Sequence, residues 1–336
     1  MEVLHEGLGE LVGWHDPDEN REFVLHNKSR ELKDKTMTAS EAVASFVKNG
    51  DFIASGGFGH IRVSMNIVYE IIRQRKHDLT MAGKTAVHDL DLLVGNGCVN
   101  KVEVAYSFGH EVRGLSPASR RMVESGKCEV IGEISNAGYQ WRFLAGMMGI
   151  PFIPSRNLLG TDTGKYSSCK VVKDPFSGKP INLIPAAYPD VAFIHVHRCD
   201  IYGNCQIDGI MIEDFELARC ARKLIITTEE IIDNEVIRRE PWRTVIPFYV
   251  VDGVVEQPFG SHPCELHGKY FFDEEHIAEW LSLSKTDAGV QDYAKKYIYS
   301  VSDFNEYLEL CGGINKIEFL VKREAMRVPL VTPWRK

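Results

Sequence analysis

The sequence predicts an α/β protein built on an open, mostly parallel sheet with helices on its faces. Two patterns lead there. Short apolar runs alternate with segments of helical period along most of the chain, the signature of strands joined by helical crossovers. Glycine, asparagine or proline punctuates many of the junctions, as turn chemistry requires. No segment recurs at a fixed period, which sets aside a solenoid.

The elements follow in order. Residues 1–35 are charged and weakly periodic, with Asp16-Pro17-Asp18-Glu19 as a turn, and read as a surface arm or an oligomer contact. Thr38-Ala39-Ser40-Glu41 is a capping box heading a helix through Val47, stopped by Asn49-Gly50. A buried strand over 51–55 runs into Gly56-Gly57-Phe58-Gly59, and a helix pattern covers 64–75. Strands are then expected at 78–82, 102–106, 128–131 and 151–153, separated by helices near 89–94, 116–125 and 136–148. Residues 155–180 look irregular, a length of loop that is usually functional or mobile. Strands return at 181–185, 191–197 and 224–228, with a helix at 215–222, an extended run at 249–256 and helices at 276–283 and 303–310.

The 336 residues can form a full core without disulfides or metals. With 39 basic against 47 acidic side chains, the net charge of −8 argues against a nucleic-acid footprint. No apolar stretch reaches the roughly 18 residues of a spanning helix. Glu2, Glu6 and Glu10 stand where a signal peptide would carry positive charge. Eight scattered cysteines without a C-x-x-C pair read as reduced thiols, so a cytoplasmic location is expected.

Several fragments imitate motifs. Gly83-Lys84-Thr85 follows a strand as a P-loop would, but the first glycine of that motif falls on Asp78. Ser167 to Lys170 and Ser282 to Lys285 fit S-x-x-K without its partner motifs, and no G-x-S-x-G elbow occurs. His195 and His197 share one strand face, and His262, Cys264 and His267 could join them. Their spacing fits no standard metal pattern, so hydrogen bonding is expected of them and no metal is assigned.

The informative segment is Gly50-Asp51-Phe52-Ile53-Ala54-Ser55-Gly56-Gly57-Phe58. A strand that ends in two glycines at the carboxyl edge of a parallel sheet is where open α/β folds bind ligands. Glycines let backbone N–H groups approach a ligand, the next helix offers a positive dipole end, and Arg62 adds a cation.

This segment resembles the α-subunit signature of family I coenzyme A transferases, roughly [DN]-[GN]-x-x-three apolar-G-G-F-x-x-x-G-x-P. Further matching blocks are Asp91 to Gly97, Gly149 to Phe152, Thr228 to Arg239 and Pro258 to Pro263. The start of the pattern is met only approximately by Gly50-Asp51-Phe52, and its late G-x-P is Arg62-Val63-Ser64 here. The resemblance implies a fold of the sugar-phosphate-isomerase/CoA-transferase type. It also implies an arm over 1–35, an α-subunit domain over 36–325 and a tail over 326–336.

The same resemblance implies an acyl-CoA:carboxylate CoA-transferase that works through a glutamyl-CoA thioester. That glutamate belongs to a partner β subunit, in an S-E-N-G segment absent from this chain, so the chain is expected to be half an enzyme, in an α2β2 or α4β4 assembly. Coenzyme A would be a substrate, with no permanently bound cofactor. Ser55, Gly56, Gly57, Phe58 and Arg62 would line the cleft, with Ser135, Asn136 and His262 beside them. Ser135 and Asn136 match a Ser-Gln pair of the family and would bond the acyl or carboxylate group; as residues alone they also read as a helix cap. A steroid-ring-opening hydrolase branch has an acidic residue where Asn136 stands, and an amide cannot act as a general base. The alternatives are a CoA-dependent hydrolase or C–C bond-cleaving relative, and a ligand-binding module on the same fold.

Overall fold

The computed structural model describes residues 2–326, with the side chain of Val112 excepted; residues 327–336 of the expected tail lie outside the described residues. Seven strands form the central sheet: β1 (Phe52–Ser55), β2 (Leu79–Lys84), β3 (Val99–Ala105), β4 (Glu129–Glu133), β5 (Val191–Val196), β6 (Lys223–Thr228) and β7 (Gly253–Glu256). Their order is β7-β6-β5-β1-β2-β3-β4, and every pairing is parallel. The order reverses between β1 and β5, so their crossovers diverge there and open a crevice at the carboxyl ends, where the Gly56-Gly57 turn stands.

Alternation along the strands splits the core in two. Ile53, Met81, Val102, Phe193 and Ile225 pack on one face under helices Met65–Arg73, His88–Gly95 and Glu274–Leu283. Phe52, Ala54, Ala82, Ile194 and Ile226 pack on the other with helices Asn136–Met148 and Asp214–Cys220. Central strands buried on both faces read as the continuous apolar runs seen in the sequence. The capping box forms: Thr38 accepts from the Glu41 N–H while the Glu41 carboxylate accepts from the Thr38 N–H.

Two segments depart from expectation. Val3–Glu6 in the arm is a strand, and it pairs with Lys170–Lys173 from the stretch expected to be irregular. With Pro180–Pro185 and Phe152–Ser155 these form a four-stranded antiparallel sheet. Lys170 and Lys173 meet Glu6 and Glu2 across it, so the charges that made both segments look like loops are cross-strand partners. A small sheet of Arg198–Cys199, Cys205–Gln206 and Thr244–Ile246, and helices Asn234–Arg239, Asp287–Ala294 and Gly313–Met326, also went unforeseen. All eight cysteines are unpaired, seven of them buried. Among the described residues, no helix is long and apolar enough to cross a membrane.

Candidate functional site

The carboxyl edge of the sheet gathers the strained backbone. Among the described residues, nine non-glycine residues have positive φ, and Arg62, Thr85, Tyr106, Phe108 and Glu111 lie in the loops that follow β1, β2 and β3. Left-handed backbone at a non-glycine residue costs energy and concentrates at functional sites.

Gly56 and Gly57 are glycines because the turn is packed from within. A Cβ on Gly56 would stand 2.6 Å from Asp214 Oδ1 and 2.8 Å from Ile194. At Gly57 (φ +75°) it would stand 2.4 Å from the Ile61 carbonyl oxygen. The turn's N–H groups are spent internally. Gly56 donates to Phe193 O, Phe58 to Ile61 O and Gly59 to Thr85 O, while Gly57 donates to Asp214 Oδ1 at 3.0 Å. The loop therefore does not offer these donors to a ligand. The helix after it is closed too, since Asn66 N donates to Gly260 O and residues Met65 to Ile72 are buried.

Arg62 is likewise committed. Its guanidinium donates to both oxygens of Asp214, at 2.9 and 2.5 Å, and to the carbonyls of His195 and Ile210. Arg62 and Asp214 are 1% and 0% exposed. Burial works to raise the Asp214 pKa, but Arg62 and the Gly57 N–H outweigh it and hold the carboxyl below its usual range. Instead of a cation facing a ligand, Arg62 is half of a buried ion pair that fixes the glycine turn to helix Asp214–Cys220. A second pair adjoins it: Lys84 at the end of β2 donates to Glu213 Oε2 at 2.6 Å, with the Phe58 ring 6.0 Å from the ammonium. Burial pushes the Glu213 carboxyl up to about 8 against the pull of Lys84.

Above this charged floor, Ser55, Phe58, Thr85, Ser135 and Asn136 are half-buried. Ser135 Oγ caps helix Asn136–Met148 by accepting from Gly138 N, and it accepts from Asn157 Nδ2, so its cap role is filled. Asn136 Oδ1 accepts from Thr85 Oγ1 at 3.1 Å, which turns the amide. Its Nδ2 donates to none of the described residues. Tyr106 and Leu115, 78% and 62% exposed, flank a hollow of about 310 Å³ along the same edge. A second hollow of similar volume, lined by Asp51, Asp190 and Lys223, opens at the amino ends of the strands, away from this chemistry.

His262 turns inward, with Nδ1 to Tyr307 at 2.7 Å and Nε2 to Asp273 at 3.2 Å. His195 bonds Thr227 and Glu229, and His197 bonds His267 O and Asp208 N, so the histidines weighed as metal ligands hydrogen bond as expected. Sequence reasoning missed Lys84, Glu213 and Asp214, whose partners lie 129 and 152 positions away. It also missed Glu265, a half-buried carboxyl pushed up to about 7 by burial and by Glu324 and Glu111.

Residues 36–257 match the family model described as coenzyme A transferase. An uncharacterized protein of Archaeoglobus fulgidus is 63% identical over 100% of this chain and 75% of its own length. The A-type subunit of glutaconate CoA-transferase from Acidaminococcus fermentans is 32% identical, over 85% of this chain and 95% of its own. The crystal structure of that enzyme superposes with a TM-score of 0.82 at 31% identity, again over 85% and 95% of the two chains. A variant of the decarboxylase AibA/AibB superposes with a TM-score of 0.69 at 30% identity, over 78% of this chain and 99% of its own.

Proposed function

The chain belongs to the coenzyme A transferase family, and on that footing we propose that it is the α subunit of a heteromeric acyl-CoA:carboxylate CoA-transferase, active only with a β subunit. The observation that carries the reading is the state of the carboxylates against the glycine loop. Asp214 is ion-paired and Glu213 is fully buried, so neither can attack a thioester, while the edge above them stays open around Phe58 and Asn136. A nucleophile supplied from outside completes such a half-site.

In the proposed sequence, a partner glutamate adds to the acyl-CoA carbonyl, the C–S bond breaks, and CoA thiolate leaves a mixed anhydride. The thiolate attacks the glutamyl carbonyl and releases the first acid, giving a glutamyl-CoA thioester. The acceptor carboxylate adds to that thioester, its new anhydride is opened by CoA thiolate, and the glutamate is restored. In this chain, Asn136 Nδ2 would donate to the acyl or carboxylate oxygen, and the packed Gly56-Gly57 turn would let the partner approach closely. The expected donors of the glycine turn and Arg62 play no direct part, because their hydrogen bonds are already made.

A second reading is carbon–carbon bond cleavage on the same scaffold, favoured by the likeness to the decarboxylase AibA/AibB. Co-expression with an S-E-N-G partner and an exchange assay between labelled short-chain acids and acyl-CoAs separates the two. Exchange that needs both chains supports the transferase. Its absence with every short-chain acid overturns it, and conversion of an acyl-CoA to a shorter one without an acceptor acid, with loss of a carbon fragment, points to C–C cleavage.

A further inference from the structure

Three successive crossovers each deliver a histidine to one buried spot. His60 ends the glycine loop after β1, His88 opens the helix after β2, and His110 stands in the loop after β3. The three are 4%, 0% and 0% exposed. Ring centroids lie 5.2 Å apart for His60 and His110, 5.9 Å for His88 and His110, and 6.1 Å for His60 and His88. One nitrogen from each ring can be chosen so that all three lie within 4.8 Å of one another. His60 Nε2 and His110 Nδ1 share a hydrogen bond of 3.1 Å, near the edge of about 3.3 Å that a tetrahedron of 2.0–2.1 Å zinc–nitrogen bonds would have; for both to ligate, the donor ring must carry its proton on the other nitrogen instead.

The remaining nitrogens are the telling feature. Neither ring nitrogen of His88 has a hydrogen-bond partner among the described residues, so this ring has a nitrogen free to ligate; His60 Nδ1 and His110 Nε2 are also unbonded but are the outer nitrogens, not the ones that face each other. A neutral imidazole carries one donor and one acceptor, and interiors rarely leave such groups unpaired. The other buried histidines of this chain do not: His195, His197, His262 and His276 each occupy both ring nitrogens. Behind His110 lies a carboxylate. Asp91 Oδ2 is 3.7 Å from His110 Nε2, and Asp91 is fixed by Ser119 N, Ser119 Oγ and Trp280 Nε1. A carboxylate facing the outer nitrogen is the usual support of a metal-ligating histidine, and here it leaves His110 Nδ1 turned toward His60.

We propose that His60, His88 and His110 hold one divalent transition-metal ion of the zinc class, with Asp91 as the outer carboxylate. Three imidazoles without thiolates or ligating carboxylates suit zinc, cobalt, nickel or copper better than magnesium or calcium. The ion would tie the carboxyl ends of β1, β2 and β3 together and brace the loop that carries Phe58. Three protein ligands leave a fourth position for water or another donor. The site is independent of the transferase reading, because metal content is counted without any turnover.

The test uses the full-length chain, stripped with a chelator, dialysed and titrated with Co²⁺ and then Zn²⁺. One equivalent by elemental analysis, visible d–d absorption from cobalt on nitrogen donors, and a higher thermal midpoint with Zn²⁺ are expected. Affinity should fall at least tenfold in His88→Ala and His60→Ala, while His77→Ala, at an exposed histidine, should keep one equivalent. Uptake below a tenth of an equivalent by the folded wild-type chain overturns the proposal, as does undiminished uptake by a folded His88→Ala chain. If the alanine variants do not fold, the wild-type stoichiometry and cobalt spectrum decide alone.

Discussion

Replacing Gly57 by alanine should disrupt the loop through contacts made by the backbone alone. Gly57 has φ +75°, which costs an alanine about 1 kcal/mol. The added Cβ would stand 2.4 Å from Ile61 O, 2.6 Å from Arg62 O and 2.8 Å from Arg62 C, all main-chain atoms that no rotamer change can clear. Forcing the turn open is an overpacking cost of about 1–3 kcal/mol. It also strains the paired bonds Phe58 N to Ile61 O (3.0 Å) and Ile61 N to Phe58 O (2.8 Å), worth about 1 kcal/mol if one is lost. The sum is about 3–5 kcal/mol. Gly50 is the control: its φ is +89°, but a Cβ there meets nothing within 4 Å, so Gly50→Ala should cost only about 1 kcal/mol. Urea unfolding of the two variants beside wild type measures both. Values for Gly57→Ala and Gly50→Ala within about 0.5 kcal/mol of each other would refute the reasoning, which needs a gap of at least about 2 kcal/mol.

Arg62→Met strands the buried Asp214 carboxylate and should cost about 3–5 kcal/mol in urea unfolding, with part recovered when Asp214→Leu is added. The Glu213 pKa is raised from an ordinary 4.5 to about 8, so the unfolded chain releases this proton first; stability should fall as pH rises through that interval. Urea midpoints at pH 5 and pH 8 should show a shallower slope in Glu213→Gln. Thr38→Ala removes the capping box and should cost about 1 kcal/mol, read from the same unfolding curves. Asn136→Ala should lower kcat/KM of the assembled enzyme about 10- to 100-fold, the worth of one hydrogen bond to a charged group, while costing no more than about 1 kcal/mol of stability for the lost Thr85 bond.

The middle of the central sheet was legible because strands such as β1, β5 and β6 are buried on both faces and so are written as local apolar runs, with helices announced by caps such as Thr38 and Ser135. The Val3–Glu6 and Lys170–Lys173 pairing was not, because two exposed, charged segments become strands only through partners some 170 positions away. The glycine turn shows the same limit at finer scale. Gly56-Gly57 marked the right edge of the sheet, yet the sequence does not record that Asp214 arrives to accept the Gly57 N–H and to neutralise Arg62. Lys84 looked like part of a failed phosphate loop, and its hydrogen-bond partner Glu213 lay in a helix cap far along the chain. His60, His88 and His110 form no motif because their separations are set by crossover lengths, and only parallel strand order brings them together.

The most direct measurement is of where coenzyme A becomes attached during turnover. The chain co-expressed with an S-E-N-G β subunit, as proposed, is mixed with acyl-CoA, quenched in acid, and both chains are analysed by mass spectrometry. A hydroxylamine-sensitive CoA adduct on the partner's S-E-N-G glutamate, with none on this chain, is the predicted result. An adduct on this chain, at Glu265 for instance, or exchange catalysed by this chain alone, would contradict the assignment of the nucleophile to the partner.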